Sequence, residues 1–318
     1  MNIKKEIEKI IPGSKLIYLT LVGSELFGTK RESSDRDIKG IYLPSIYDIK
    51  KRGLEVINLS TNKEGSNNCE DIDIEVYSLD KFLVMIKNGD SNAIDMLFSM
   101  FSISVLLETK ESFVLRDNYK ELISADLKKV LSYTLKQTEK YGKKGKKLSE
   151  ITLAEKEIEK NGIKIAIKRF KKEPFEYINV REEETGIYLE IAGKKFRENI
   201  KTNYVLERLN EFRSKYGERS KSSETGIDYK SLSHAYRIVI EIEELIETGF
   251  IEFPLKKSEQ IKKVKEGNLE EFKNYKEMIL NLKSRIEEIK IRIQNCGLKD
   301  RVEDFTINRI KILILSIV

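Results

Sequence analysis

The chain has 318 residues, with 59 Lys and Arg against 53 Asp and Glu and a net charge of +6. That length buries a real core in one large or two smaller domains, and the small basic excess permits nucleotide or nucleic-acid partners without demanding them. A single histidine excludes a His-rich zinc site, and Cys69 and Cys296 stand too far apart for a thiolate metal motif. No run reaches the ~20 apolar residues that a membrane-spanning helix needs, and the first residues lack the apolar block of a secretion signal. The expectation is a cytoplasmic protein with no membrane partner and an oligomeric state left open.

"KLIYLTLVG", residues 15–23, is rich in aliphatic and aromatic residues and ends at a glycine, which reads as a strand buried on both faces. "SELFGTK" reads as a short helical turn. "DRDIKGIYLP" gives a second strand closed by Pro44, and "EDIDIEVYSL" a third, whose alternation puts Asp71, Asp73, Glu75 and Tyr77 on one face. "SLDKFLVMIKNGD" and "SNAIDMLFSM" are two short helices, each opened by a serine as N-cap. Beyond about residue 115 the composition turns to long Lys/Glu-rich helical stretches, interrupted at about 174–200 by a β-hairpin around "ETG" with a turn at Gly193. In the last third Phe272, Tyr275, Ile279, Leu282, Ile286, Ile289 and Ile293 form the seam of an amphipathic helix facing its own core, and "IKILILSIV" makes a final buried helix or strand. The class is α+β: a small mixed sheet with helices, then a mostly helical region carrying the hairpin.

Asp35 and Asp37 stand two apart on a strand and project from one face, roughly 6–7 Å apart, close enough to bracket a hard cation. Magnesium prefers few carboxylates together with water and phosphate oxygens, so such a pair suits a metal that arrives with a nucleoside triphosphate. Asp73 or Glu75 on another strand supplies a third acid. Upstream, Gly23 lets phosphate approach the backbone, where N–H groups and the Ser24 hydroxyl bind it. Lys39 shares the face of the aspartates and fits a phosphate oxygen or the balance of the metal site.

Gly-Ser, a short spacer and Asp-x-Asp on a strand, with a later third carboxylate, resemble the DNA polymerase β nucleotidyltransferase superfamily. "SDRDIKGIYLP", "DIDIEVYSLDKFLVMIKNGDSNAIDMLFS" and "GIDYKSLSHAYRIVIEIEELIETGFIEFPL" are similar to a group of nucleotidyltransferases found in bacteria and phages that includes an RNA-repair-associated branch. The resemblance implies a polymerase-β-type catalytic domain over residues 1–115 and a helical domain over 116–318. It implies metal binding by Asp35 and Asp37, a third acid at Asp73 with Glu75 as its substitute, and nucleotide phosphates at Gly23 and Ser24. The sequence departs from the family in carrying Arg36, where an apolar or aromatic residue is usual between the aspartates.

Lys230, His234 and Arg237 lie at i, i+4 and i+7 on a helix, opposite an apolar stripe of Leu232, Ala235, Val239, Ile242 and Ile246, with Asp228 as N-cap. The polar stripe resembles the family's Lys-x-x-x-His-x-x-Arg segment, with "KYGERSK" (Tyr216, Gly217, Arg219) as a companion, and implies contact with nucleotide or acceptor phosphates. "EKYGKKGKK" and "KRFKKEPFEY" interleave basic and aromatic residues, as a nucleic-acid surface does, and Lys143, Lys144, Lys146 and Lys147 are its contacts. The expected activity is Mg²⁺-dependent transfer of a nucleoside monophosphate from an NTP to an RNA or DNA hydroxyl. Two ions are used, Mn²⁺ being the substitute, and pyrophosphate leaves. The alternatives are nucleotidylation of a protein or small molecule, and a binding module without chemistry.

Overall fold

The continuous apolar run after Lys15 forms strand β1 (Lys15–Leu21), in which Leu16 through Thr20 are all buried. A strand covered on both faces belongs inside a sheet. β1 pairs antiparallel with β2 (Arg36–Leu43) on one side and with β5 (Val105–Glu108) on the other. β4 (Ile72–Ser78) runs parallel to β2, and β3 (Val56–Ser60) closes the far edge antiparallel, in the order β3-β4-β2-β1-β5. This is the mixed sheet expected from the alternation. The computed structural model describes residues 3–10, 12–32, 34–45, 56–61, 71–214 and 228–317. Cys69 and the "KYGERSK" stretch lie outside the described residues.

Short helices join these strands. α1 (Ile3–Ile10) precedes β1, and α2 (Gly23–Phe27) follows it directly. α3 (Leu79–Lys87) opens as expected on Ser78, whose hydroxyl accepts from the Lys81 N–H at 3.2 Å. α4 (Ser91–Ser99) differs. Its cap is Asp90, which accepts from the N–H groups of Asn92 at 2.9 Å and Ala93 at 3.4 Å, while Ser91 is the first helical residue. A carboxylate both accepts these bonds and faces the positive helix end, so it serves better here than the adjacent hydroxyl.

Contacts group the chain into two compact units, Met1–Leu135 with Ser233–Val264 and Asn281–Val318, and Lys136–Leu232 with Lys265–Leu280. Composition alone divides the chain near residue 115, whereas contact assigns later helical segments to the unit that holds the sheet. The largest fully buried side chains of that unit include Tyr18, Tyr42, Phe82 and Phe98, and the Tyr18 hydroxyl lies 2.9 Å from that of Ser99. The other unit packs helices α5 (Lys128–Asn161, its part from Lys136), α6 (Ile163–Phe170) and α7 (Thr202–Ser214) with three antiparallel strands, β6 (Ile178–Glu183), β7 (Gly186–Ile191) and β8 (Lys194–Arg197). The expected hairpin thus gains a third strand from "KKFR" after the turn at Gly193, because Phe196 turns into the core of Ile158, Phe170, Leu189 and Leu209.

α8 (Tyr229–Thr248) carries the expected apolar stripe, all five residues being buried, and Asp228 caps it through the Ser231 N–H at 2.9 Å. α9 (Tyr275–Arg292) buries Met278, Leu282, Ile286 and Ile289, so the seam passes through Met278 where the spacing suggested Ile279. The C-terminal α10 (Asp304–Leu315) buries Ile310 and Ile314 and leaves Ile312 and Leu315 exposed. Among the described residues no helix is long and apolar enough to cross a membrane.

If Asp90 is the cap of α4, Asp90→Ala lowers unfolding free energy by about 1 kcal/mol in urea denaturation, and Ser91→Ala by less than about 0.5 kcal/mol. The reverse ranking would contradict the assignment.

Candidate active site

The site begins where β1 ends. The Val22 N–H donates to the Asp37 carbonyl at 2.9 Å, which holds the start of α2 against β2. Gly23 then takes a left-handed conformation with φ of 63°, and a Cβ there would stand 2.4 Å from Asp37 Oδ2. The backbone angle favours glycine, and the absence of a Cβ leaves the Asp37 carboxylate where it stands.

Asp35 immediately precedes β2 and Asp37 is its second residue. In the parallel pairing Asp37 lies opposite Asp73 of β4, and Lys39 opposite Glu75. A carboxylate oxygen from each of Asp35, Asp37 and Asp73 lies within 4.8 Å of the others. Three like charges so close repel unless a cation or protons intervene, and oxygen donors alone suit a hard divalent ion. These residues therefore fit a metal such as Mg²⁺ or Mn²⁺.

Glu75 is held differently. Lys39 Nζ donates to Glu75 Oε2 at 2.7 Å, to the Tyr77 hydroxyl at 3.1 Å and to Asn92 Oδ1 at 3.1 Å, which accounts for all three ammonium protons. Burial works against the Glu75 charge, but the hydrogen bonds from Lys39 and Tyr77 and the lysine's charge outweigh it and keep the carboxyl below its ordinary pKa. Of the two acids left open by sequence, the geometry groups Asp73 with the aspartate pair and Glu75 with Lys39.

A cavity of about 610 Å³ opens over these strands. Gly23, Asp37, Lys39, Asp73 and Glu75 form one side, with Asn58 and Ser60 from β3, and Phe27, Asn92, Asp95, His234 and Arg237 also line it. Ser24 lies in α2, where its carbonyl accepts from the Thr29 N–H at 2.9 Å, and Lys230 lies in the first turn of α8.

Arg237 is buried and heavily engaged. Its Nη1 donates to Asp95 Oδ2 at 3.1 Å and to the two Glu241 oxygens at 2.6 and 2.7 Å, and its guanidinium sits 3.9 Å from the Phe27 ring centre. Burial raises the pKa of both acids against the pull of Arg237, with Glu241 pushed up to about 8. His234 Nδ1 lies 3.3 Å from Arg237 Nη2, and its ring is exposed within the cavity wall. Partial loss of solvation, then the arginine's charge, lower the imidazole pKa from its ordinary value.

Sequence reasoning overlooked Asn58, Ser60, Asn92, Asp95 and Glu241. Glu241 had a signal, since it stands four residues after Arg237 on the same helix. Asp95 had one too, as an acid inside an otherwise apolar helical run. In the other unit Lys147 lies over the rings of Tyr177 and Phe212, at 5.8 and 5.0 Å from their centres, and Lys194 lies 5.6 Å from that of Phe212. Lys143, Lys144 and Lys146 belong to α5, with side chains outside the described residues.

Residues 2–149 match the RlaP family, the RNA repair pathway DNA polymerase beta family. The matched segment contains the whole five-stranded sheet and Asp35, Asp37 and Asp73, and it agrees with the resemblance read from "GS" and "DRD". The chain is also 28% identical over 316 residues to an uncharacterized 38.9 kDa protein of the nrdC-mobD intergenic region of Enterobacteria phage T4, covering 91% of this chain and 94% of that protein. No solved structure matches. The RlaP match suggests a polymerase-β-like nucleotidyltransferase in RNA repair.

Gly23→Ala should push the Asp37 carboxylate aside and weaken Mn²⁺ binding about 10- to 100-fold by calorimetric titration, with the far-ultraviolet circular dichroism spectrum retained. Unchanged affinity would show that the Gly23 contact does not place a metal ligand.

Proposed function

We propose that the chain is a metal-dependent nucleotidyltransferase that moves a nucleoside monophosphate from a nucleoside triphosphate to a hydroxyl at an RNA end. The observation that carries this reading is the convergence of Asp35, Asp37 and Asp73 within 4.8 Å beside the Gly23 turn. Two Mg²⁺ ions held by these carboxylates would polarise the α-phosphate, lower the pKa of the acceptor hydroxyl and offset the charge of the leaving pyrophosphate.

The rest of the cavity supports the same chemistry. Among the described residues, four acids, Asp37, Asp73, Glu75 and Asp95, line it against Lys39 and Arg237, and both of these cations are bonded to carboxylates. Such a wall repels a bare triphosphate, so the nucleotide binds together with its divalent ion. Gly23 leaves room for the Asp37 carboxylate beside the backbone, and the Ser24 hydroxyl next to it is a donor for phosphate. Lys39 keeps Glu75 and Asn92 in place, and Arg237 does the same for Asp95 and His234. The acceptor hydroxyl attacks the α-phosphorus in line, the bond to the bridging oxygen of the β-phosphate breaks, and pyrophosphate departs. An RNA acceptor is supported by the description of the matching family and by the basic α5 segment, where Lys147 stands over two aromatic rings.

The test is incubation with Mg²⁺, short RNA and each of the four α-labelled ribonucleoside triphosphates, using the intact protein and Asp37→Asn. Label should move to RNA with the intact protein and fall at least about 100-fold in the variant. Equal transfer by the variant would overturn the site, and label on the protein or on a small molecule would overturn the RNA acceptor.

A further inference from the structure

The chain contains one histidine, and it lines the cavity that holds the aspartates. Its ring has two nitrogens with different surroundings. Nδ1 faces Arg237 Nη2 at 3.3 Å, whereas among the described residues Nε2 makes no hydrogen bond and the side chain is exposed.

A guanidinium has five N–H donors and no acceptor, and it stays protonated in proteins. At hydrogen-bond distance from it, Nδ1 must offer its lone pair, because an N–H there would point at another N–H beside a buried cation. Arg237 cannot readily turn away. Asp95 of α4 and Glu241 of α8 hold Nη1, and the ring of Phe27 covers the guanidinium face. The single proton of a neutral imidazole therefore sits on Nε2.

We infer that His234 is a neutral hydrogen-bond donor, with its tautomer fixed by Arg237, and that Nε2–H contacts an acceptor oxygen of the bound nucleoside triphosphate. This rests on the nucleotidyltransferase reading for the identity of the ligand, but not for the tautomer. His234 then binds substrate without adding charge or taking a proton, and Asp95, Arg237 and Glu241 are positioning residues that act through it.

A single histidine makes the assignment measurable without ambiguity. In protein labelled with ¹⁵N only at histidine, the unliganded spectrum at pH 7 should show Nδ1 with the shift of an unprotonated ring nitrogen and Nε2 with that of a protonated one. A proton on Nδ1, or on both nitrogens, would overturn the tautomer. Adding Mg²⁺ with α,β-methylene analogues of the four triphosphates should move Nε2 and leave Nδ1 nearly still. A matching response to inorganic tripolyphosphate would place the acceptor on phosphate, and a response to nucleotides alone would place it on the nucleoside. An unmoved Nε2 in protein that calorimetry shows to bind an analogue would overturn the contact. Absence of binding by every analogue would overturn the nucleotidyltransferase reading and the ligand with it, while the unliganded spectrum still decides the tautomer. In transfer assays His234→Leu should raise KM for the triphosphate about tenfold at similar kcat, and His234→Gln, which keeps a donor near Nε2, should stay within about threefold. Equal KM in the two variants would contradict a donor role.

Discussion

The parallel pairing of β2 with β4 sets Asp37 opposite Asp73, and the rest of the site depends on that register. Side chains directly opposite each other on one sheet face are neighbours, and two carboxylates in that relation repel. Two residues further along, the same face pairs Lys39 with Glu75, so one rung joins acid to acid and the next joins acid to base. Asp35, at the entrance to β2, adds its carboxylate to the first rung. A fold that gathers like charges gives up stability at that point, and a divalent ion bound there would restore it.

The cations around the cavity follow a related pattern. Lys39 and Arg237, the Lys and Arg that line it among the described residues, are both committed to carboxylates of the protein. Arg237 is buried with Asp95 and Glu241, a grouping whose desolvation offsets much of its Coulomb attraction, so its value lies more in orientation than in net stability. It holds the Phe27 ring at the end of α2, the helix that starts at Gly23, and it also holds His234. Glycine turn and histidine are thereby tied to one guanidinium.

Much of this could be read in the sequence because the signals were local. The apolar run of β1, the alternation of β2 and β4, the serine cap of α3 and the Asp-x-Asp pair all depend on a few neighbouring residues. What escaped depends on residues far apart. Alternation places Asp73 and Glu75 on the same face with equal weight, and only the register with β2 separates them. A helical wheel puts Lys230, His234 and Arg237 on one stripe, but it cannot show that Asp95, 142 residues before Arg237, meets the guanidinium. The reading of the hairpin ends at the turn at Gly193 and gives no third strand, because the four residues of β8, with two lysines, carry little alternation. The cap at Asp90 rather than Ser91 is a local contest between adjacent acceptors, in which the position of the first helical residue decides.

Diffraction from crystals soaked in Mn²⁺, recorded where manganese scatters anomalously, examines the acid cluster without requiring an acceptor or a particular nucleotide. Anomalous density bounded by the carboxylates of Asp35, Asp37 and Asp73, with Glu75 still bonded to Lys39, is the predicted result. No density there at saturating Mn²⁺, or an ion held by Glu75 away from Asp73, would contradict the three-aspartate metal site and the transfer chemistry built on it.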